Sequence, residues 1–412
     1  PNTDMRQNTI NTMTDMAQLA NVQHGAYSIG NLAMDETFNH MSVQNRSLEY
    51  SGTPKYKLRN TAMDGDTYKM NTIPVGRVRD VLPSRTVGRV IAEDSKYNRY
   101  DREDNYYREY RRDYNYYTPS HRSYSIPKHS YQYTTAIEEP DKMIWATYIH
   151  SKEKINGMQV GHLKQDSTIK QNGAVVGADL WKNDNNFGGI AITYAKGDVN
   201  STQQVSSVKN DVDHYGASIY HRQDMGKFSV QLDAGYGKSN NDIKMETIGA
   251  ENVTLKPKTE AYSAGIKIEE PLELNDKTLL VPFLGVRYTF MKTQKADSNL
   301  DITYGGNEQN MCSIPVGLSL RSQYEVSDSM KLGTTLEAGY AFNVGDRKGT
   351  QKLLYGGVTD SISYNIVDKG QYFIKAAIQA ICENMIWELG YHYAKSSKVK
   401  DDKWYVNANF DF

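Results

Sequence analysis

KWYVNANFDF, Lys403 to Phe412, ends the chain on an alternation. Every second residue puts Trp404, Val406, Ala408, Phe410 and Phe412 on one side, and Lys403, Tyr405, Asn407, Asn409 and Asp411 on the other. A period of two is the mark of a strand with one apolar and one polar face. The pattern recurs upstream. Phe228, Val230, Leu232, Ala234 and Tyr236 alternate with Ser229, Gln231, Asp233, Gly235 and Gly237. Leu280, Pro282, Leu284, Val286, Tyr288 and Phe290 alternate with Val281, Phe283, Gly285, Arg287 and Thr289. Leu332 to Phe342 and Trp387 to Tyr393 repeat it. From Met143 onward the spacing predicts twelve strands, at 143–155, 170–182, 188–199, 211–223, 227–239, 258–270, 278–292, 310–324, 330–343, 369–382, 385–397 and 402–412.

Composition narrows what such a set of strands can be. Of 412 residues only 38% are hydrophobic, Tyr supplies 31 of the aromatic residues, and the mean hydropathy is −0.68. No stretch approaches the roughly 18 to 20 apolar residues of a membrane-spanning helix, which excludes a helical membrane protein. It does not exclude a membrane barrel, whose alternating strands never score high on a hydropathy window. The net charge of −1 gives no electrostatic case for a nucleic-acid or anionic partner of the whole chain. Cys312 and Cys382 fall on strands with one strand between them. Two inter-strand spacings come to about 10 Å, beyond disulfide reach, so both read as small apolar residues of an outer wall. The chain begins at Pro1 with no apolar leader, and any targeting peptide is expected to be removed or to lie upstream in a longer precursor.

Two regions precede the strands. Residues 1–50 are Met-, Ala- and Asn-rich, and Met34, Phe38, Met41 and Leu48 recur at near-helical spacing in MDETFNHMSVQNRSLEY, Met34 to Tyr50. This predicts a helix over Asp35 to Leu48, polar around most of its circumference and therefore unlike the core helix of a soluble domain. Residues 51–141 form a low-complexity linker or insertion. Its centre, Lys96 to Tyr124, is built from Tyr, Arg, Asp, Glu and Asn, with seven Lys and Arg nearly offset by five acids. Too few aliphatic residues are present for a core. Arg beside Tyr permits stacking, but the balanced charge favours a solvated linker over a nucleic-acid site.

Connection lengths decide between a soluble sandwich and a membrane barrel over residues 142–412. Turns after the even-numbered strands are short, as at NDNNF and DMG, whereas 156–169, 200–210, 240–257, 293–309 and 344–368 read as long polar loops. Loop length sorted by parity is the outer-membrane arrangement. Face chemistry agrees. Phe228, Tyr236, Phe290, Tyr340, Phe342, Trp387, Tyr393 and Trp404 fall near strand ends on the apolar face, as interfacial girdles require. Asp179, Asp233, Lys267, Arg287, Glu337, Lys375 and Glu388 fall on the other face, where a barrel has a wet lumen. The fold expected is all-β, a twelve-stranded antiparallel transmembrane barrel, and closure leaves no strand edge exposed to lipid.

A polar helix, a Trp early in the first strand of IWATYIHSKEKINGM (Ile144 to Met158), the stretch NGAVVGADLWK (Asn172 to Lys182) and twelve strands ending in an aromatic together resemble the translocator domain of type V autotransporters. The resemblance covers about Met143 to Phe412, and the helix more loosely. It implies an outer-membrane barrel whose lumen is threaded by the N-terminal helix, linked to an upstream passenger that is displayed or released outside. It further implies a monomeric barrel among outer-membrane lipids, with Trp404, Val406, Phe410 and Phe412 as a signal read by the barrel-assembly machinery. Arg287, Glu337 and Glu388, with Asp233, Lys267 and Lys375, would then face a pore helix carrying Asp35, Glu36, Phe38, Asn45 and Arg46. The chain departs from the family pattern in the long segment between helix and first strand. If 35–48 is the pore helix, the Tyr/Arg tract is periplasmic; if the pore helix lies nearer Asp141, the tract belongs to the passenger stalk. TTAIEEPDK is too short and Pro-broken to favour the second.

No catalytic residue, cofactor or metal site is expected. The nine His are scattered without HExxH or Cys/His spacing, and no GxSxG or phosphate-cradling loop occurs. Ser218 and His214 lack a nucleophile elbow, and Asn39 and Asn45 lack the paired Asn site of autotransporters that cut themselves. The reading is a non-enzymatic translocator and anchor. Its alternative is a stand-alone porin or adhesin with ligand-binding loops.

Overall fold

The computed structural model describes residues 21–42, 59–61, 132–134 and 143–411, apart from the connections 161–162, 184, 203–205, 248–250, 328, 356 and 383–384. Twelve long strands follow one another: β1 (Met143–Val160), β2 (Leu163–Asn183), β3 (Asn186–Thr202), β4 (Ser206–Asp224), β5 (Ser229–Thr247), β6 (Lys258–Glu269), β7 (Thr278–Thr293), β8 (Asn307–Ser327), β9 (Met330–Gly345), β10 (Gly370–Cys382), β11 (Met385–Lys395) and β12 (Val399–Asp411). Each pairs antiparallel with the next, and β12 closes on β1 from Val399 opposite Ile155 to Asp411 opposite Met143. The barrel is closed, as the alternation predicts.

Burial alternates along the strands, with the faces inverted relative to a soluble protein. Ile192 is 63% exposed, and Ile219, Leu284, Leu318, Leu336, Ile378 and Leu389 join it in an outward apolar band. Inward positions hold Asp179, Arg222, Asp233, Glu269, Arg287 and Arg321, all nearly inaccessible. Exposing that much aliphatic surface to water would cost about 25 cal/mol per Å², so the outer wall is made for lipid. Tyr148, Tyr194, Tyr215, Tyr236, Tyr262 and Trp404 ring the band toward one end, and Trp181, Phe228, Trp387 and Phe410 toward the other. Trp181 reaches the outer face through a register shift between Asp179 and Trp181, an extra residue of the kind that re-aims a side chain. Trp404, Val406 and Phe410 face out, and Lys403, Tyr405, Asn407 and Asn409 face in; Phe412 lies outside the described residues. Cys312 and Cys382 are free and share the outward parity, as expected.

One end carries tight turns, with Gly226 at φ +78° between β4 and β5. The other end corrects the sequence reading. The segments expected as long loops are largely strand. β1 and β2 stay paired to Val160 opposite Leu163, β3 and β4 to Thr202 opposite Ser207, and β4 and β5 to Ser206 opposite Thr247. Residues 348–365 form a hairpin, Lys348–Tyr355 with Val358–Asn365, turning at Gly357 with φ +80°. Polarity concealed these extensions, because beyond lipid the outward side chains are hydrated while alternate residues still pack. Val208, Ile243 and Met245 point inward there, and with Val253, Leu255, Ile302, Tyr304 and Leu353 they make a small apolar core at the barrel mouth. The hairpin joins this mouth on both sides, with Leu353 opposite Tyr304 and Tyr364 opposite Val160.

The helix α1 spans Asn21–Met41 and not Asp35 to Leu48. Gly25 and Gly30 make its first half a poor helix by propensity, and packing inside the barrel overrides that. Asn45 and Arg46 lie outside the described residues. No described helix is long and apolar enough to cross a membrane. A second unit, Leu48–Glu139, contains Arg59–Thr61 paired antiparallel with Gln132–Thr134; the tract at 96–124 lies outside the described residues.

Candidate functional site: the helix in the barrel lumen

The inner wall of β2, β3, β5 and β6 is notched by glycine where α1 lies against it. A Cβ added at Gly197 would come 2.7 Å from Ile29 Cδ1, at Gly173 3.2 Å from Leu32 Cδ2, at Gly235 2.6 Å from Met34 Sδ, and at Gly265 2.7 Å from Phe38 Cζ. Strand glycines mark such close approaches. Gly265→Val is therefore expected to lower stability by about 1–3 kcal/mol through overpacking. Gly30, where an added Cβ would meet nothing within 4 Å, predicts the opposite sign: Gly30→Ala gains roughly 0.5–1 kcal/mol of helix stability. The midpoint of heat-induced loss of the compact barrel on a cold gel measures both.

Polar contacts hold the helix at three levels. At the mouth, His24 bonds to Glu153 and to the Ile366 carbonyl oxygen, Ser28 donates to Glu153 (2.8 Å), and Gln171 donates to Ser28 (2.8 Å). Ala26 and Tyr27 pack there against Met291, Met311, Tyr364, Ile366 and Val367. Midway, Arg287 forks onto Asp233 (2.8 and 3.1 Å), donates to the Met34 carbonyl oxygen (3.2 Å), and stacks over Phe38 at 4.5 Å. Thr37 donates to the same Asp233 carboxylate (2.8 Å). Lys403 lies 3.6 Å from Glu36, while Asn39 accepts from Lys375 and donates toward Glu388 (3.4 Å).

At the turn end, His40 meets Asp179 (2.9 Å) and Asn409 (3.1 Å) and stacks on Trp145 with centroids 4.4 Å apart. Trp145 donates to Tyr220 (2.8 Å), and Tyr220 to Asp179 (2.6 Å). Ser42 donates to Glu269 (2.8 Å) and accepts from Lys267 (3.2 Å). Arg222 donates to the Met41 carbonyl oxygen. Cations at a helix C-terminus satisfy its free carbonyls and complement its dipole. Among the described residues no group of His, Cys, Asp and Glu is arranged to hold a metal ion.

The sequence-derived lumen residues are thus dispersed along the helix. Arg287, Asp233, Lys267, Lys375 and Glu388 touch it, whereas Glu337 lines a neighbouring cavity of about 290 Å³ with Asp35, Arg321 and Asp401. The pairing differs from expectation: Glu36 meets Lys403 rather than Arg287, Glu337 or Glu388. Sequence reading missed His24, Ser28, Glu153, Arg222, Glu269 and Arg321. Glu153 and Glu269 share their neighbours' polar parity and were open to detection; His24 and Ser28 lie in a Gly- and Asn-containing stretch with no such signal.

A closed barrel of twelve strands enclosing a helix narrows the family, and residues 144–392 match the model of the Autotransporter beta-domain family. The chain belongs to that family. The transport unit of the autotransporter AIDA-I from Escherichia coli is similar in fold, at 12% identity and a TM-score of 0.53, covering 67% of this chain and 92% of that one. The translocator domain of the autotransporter NalP from Neisseria meningitidis aligns at 15% identity and a TM-score of 0.48, covering 67% and 90%. No curated protein matches the chain. This autotransporter β-domain is an outer-membrane barrel that acts as translocator and anchor for a passenger.

Proposed function

We propose that α1 is the end of the exported segment, retained in the lumen as a plug and tether, with its N-terminus outward and its C-terminus periplasmic. The direction of α1 carries this reading. His24 meets the mouth residue Ile366, and Met41 meets Arg222 beside the tight turn at Gly226. A passenger upstream of Pro1 is thereby held outside. The chain leaves α1 and enters β1 at the same turn rim, which supports a periplasmic position for residues 51–141 and their Tyr/Arg tract. Trp404, Val406 and Phe410 on the outer face of the closing strand, followed by Phe412, suit an assembly signal for the barrel-assembly machinery. The mechanism is positional: wall charges hold the helix, and no bond is made or broken.

An epitope fused upstream of Pro1 is expected to be shaved from intact cells by external protease. One inserted at Thr118 in the linker is expected to be cut only after the outer membrane is permeabilised. Protection of the first epitope, or shaving of the second on intact cells, overturns the orientation.

A further inference from the structure

The lysines of the outer wall are not distributed evenly. Around much of the mouth a carboxylate stands beside several of them: Lys196 lies 3.8 Å from Asp213, Lys209 3.2 Å from Asp211, Lys256 2.9 Å from Asp242, and Lys292 2.8 Å from Glu308. Directly opposed lysines occur once on β4 and β5, as Lys209 with Lys244, and are concentrated on the arc β11–β12–β1–β2. There the register sets Lys395 opposite Lys400, Lys400 opposite Lys154, and Lys152 opposite Lys170. All five share the outward parity of Tyr393, Trp404 and Tyr148. Among the described residues only Lys400 of the five has an ion-pair partner, Asp402 at 3.4 Å.

Like charges directly opposite on neighbouring strands stand about 4.5–5.5 Å apart at Cβ and destabilise the pairing. Three such pairs on one arc form a polycationic surface. Its height is informative. Lys152 lies four residues beyond Tyr148 and Lys400 four beyond Trp404, which along a tilted strand is about 10 Å above the aromatic girdle. That is headgroup level, where a basic cluster attracts anionic lipid.

We propose that this arc is a binding site for the phosphate groups of an outer-leaflet glycolipid. Lys395, Lys400 and Lys154 form one cationic row, and Lys152 and Lys170 a second below it. Asp402 opposite Lys152 and Asp198 opposite Lys170 offset part of this charge; charge-assisted hydrogen bonds to phosphate oxygens answer the excess, and the acyl chains lie on the apolar wall beneath. The site uses the outward orientation of the mouth proposed above, but its binding chemistry can be measured without it.

The test is native mass spectrometry of the full 412-residue chain in neutral detergent, titrated with lipid A, a bisphosphorylated acylated glucosamine disaccharide, and with its dephosphorylated form. The expected preference for the phosphorylated lipid is roughly tenfold or more. The triple variant K152Q/K154Q/K400Q is expected to lose that preference, and K152R/K154R/K400R to keep it. The equal charge change K209Q/K256Q/K292Q, made at paired lysines, is expected to leave it intact. Equal binding of the two lipids by the wild-type chain overturns the proposal whether or not any variant folds, as does equal loss in the two glutamine triples. Failure here leaves the helix plug untouched, because binding in detergent does not depend on which way the barrel faces.

Discussion

Removal of residues 1–42 is expected to convert a quiet barrel into an open pore. In planar bilayers the single-channel conductance should rise roughly tenfold or more, as a twelve-stranded lumen empties of its helix and fills with water. The geometry gives the direction. α1 fills the glycine-notched side of the lumen, and beside it remains a cavity of about 290 Å³ lined by Asp35, Glu337, Lys375 and Asp401. A faint leak through that space is compatible with the plug; a large conductance is not. The inward wall left behind is charged and paired, as at Arg321 with Glu269 (2.9 Å), so it tolerates water. A conductance unchanged by the deletion would sink the plug and return the porin reading, with the apolar core at the mouth as the remaining barrier.

Arg287→Ala is the substitution with the largest expected effect on stability. It strands the Asp233 carboxylate, removes the bond to the Met34 carbonyl oxygen, and uncovers the Phe38 ring. Asp233 and Arg287 are each 6% exposed, so screening by solvent is slight. Removing one partner of a buried pair costs about 3–5 kcal/mol, and the loss should appear as an earlier urea midpoint and faster cleavage of α1 by added protease. Replacing both residues together, Arg287→Leu with Asp233→Leu, is expected to recover much of the difference, since no charge is then left alone. A double variant as unstable as the sum of the two singles would assign the effect to lost packing instead of a stranded carboxylate.

The contrast between these two residues and their helix partners shows where sequence reading works. Asp233 and Arg287 were legible because parity alone puts them on the polar face, beside Leu232 and Val286 on the apolar one. Thr37, which bonds to Asp233 across 196 positions of chain, was not. Nothing local to Thr37 encodes the strand it will meet. The placement of α1 failed for a related reason. Met34, Phe38, Met41 and Leu48 offer the better helical spacing, but the helix extends back to Asn21 because Ile29, Leu32 and Met34 find glycines opposite them. The loops at 200–210 and 240–257 failed differently: their polar outward residues look like coil until Val208, Ile243 and Met245 are seen packed together at the mouth.

By itself the sequence determined the strands from Met143 onward and which of their faces meets lipid, because a period of two is written locally in every strand. Only the tertiary structure decided where α1 begins, which wall charge holds which helix residue, that Glu36 answers to Lys403, and that five lysines gather on one arc of the rim. Those depend on register and on contacts between distant segments, and such contacts exist only once the barrel has closed around its helix.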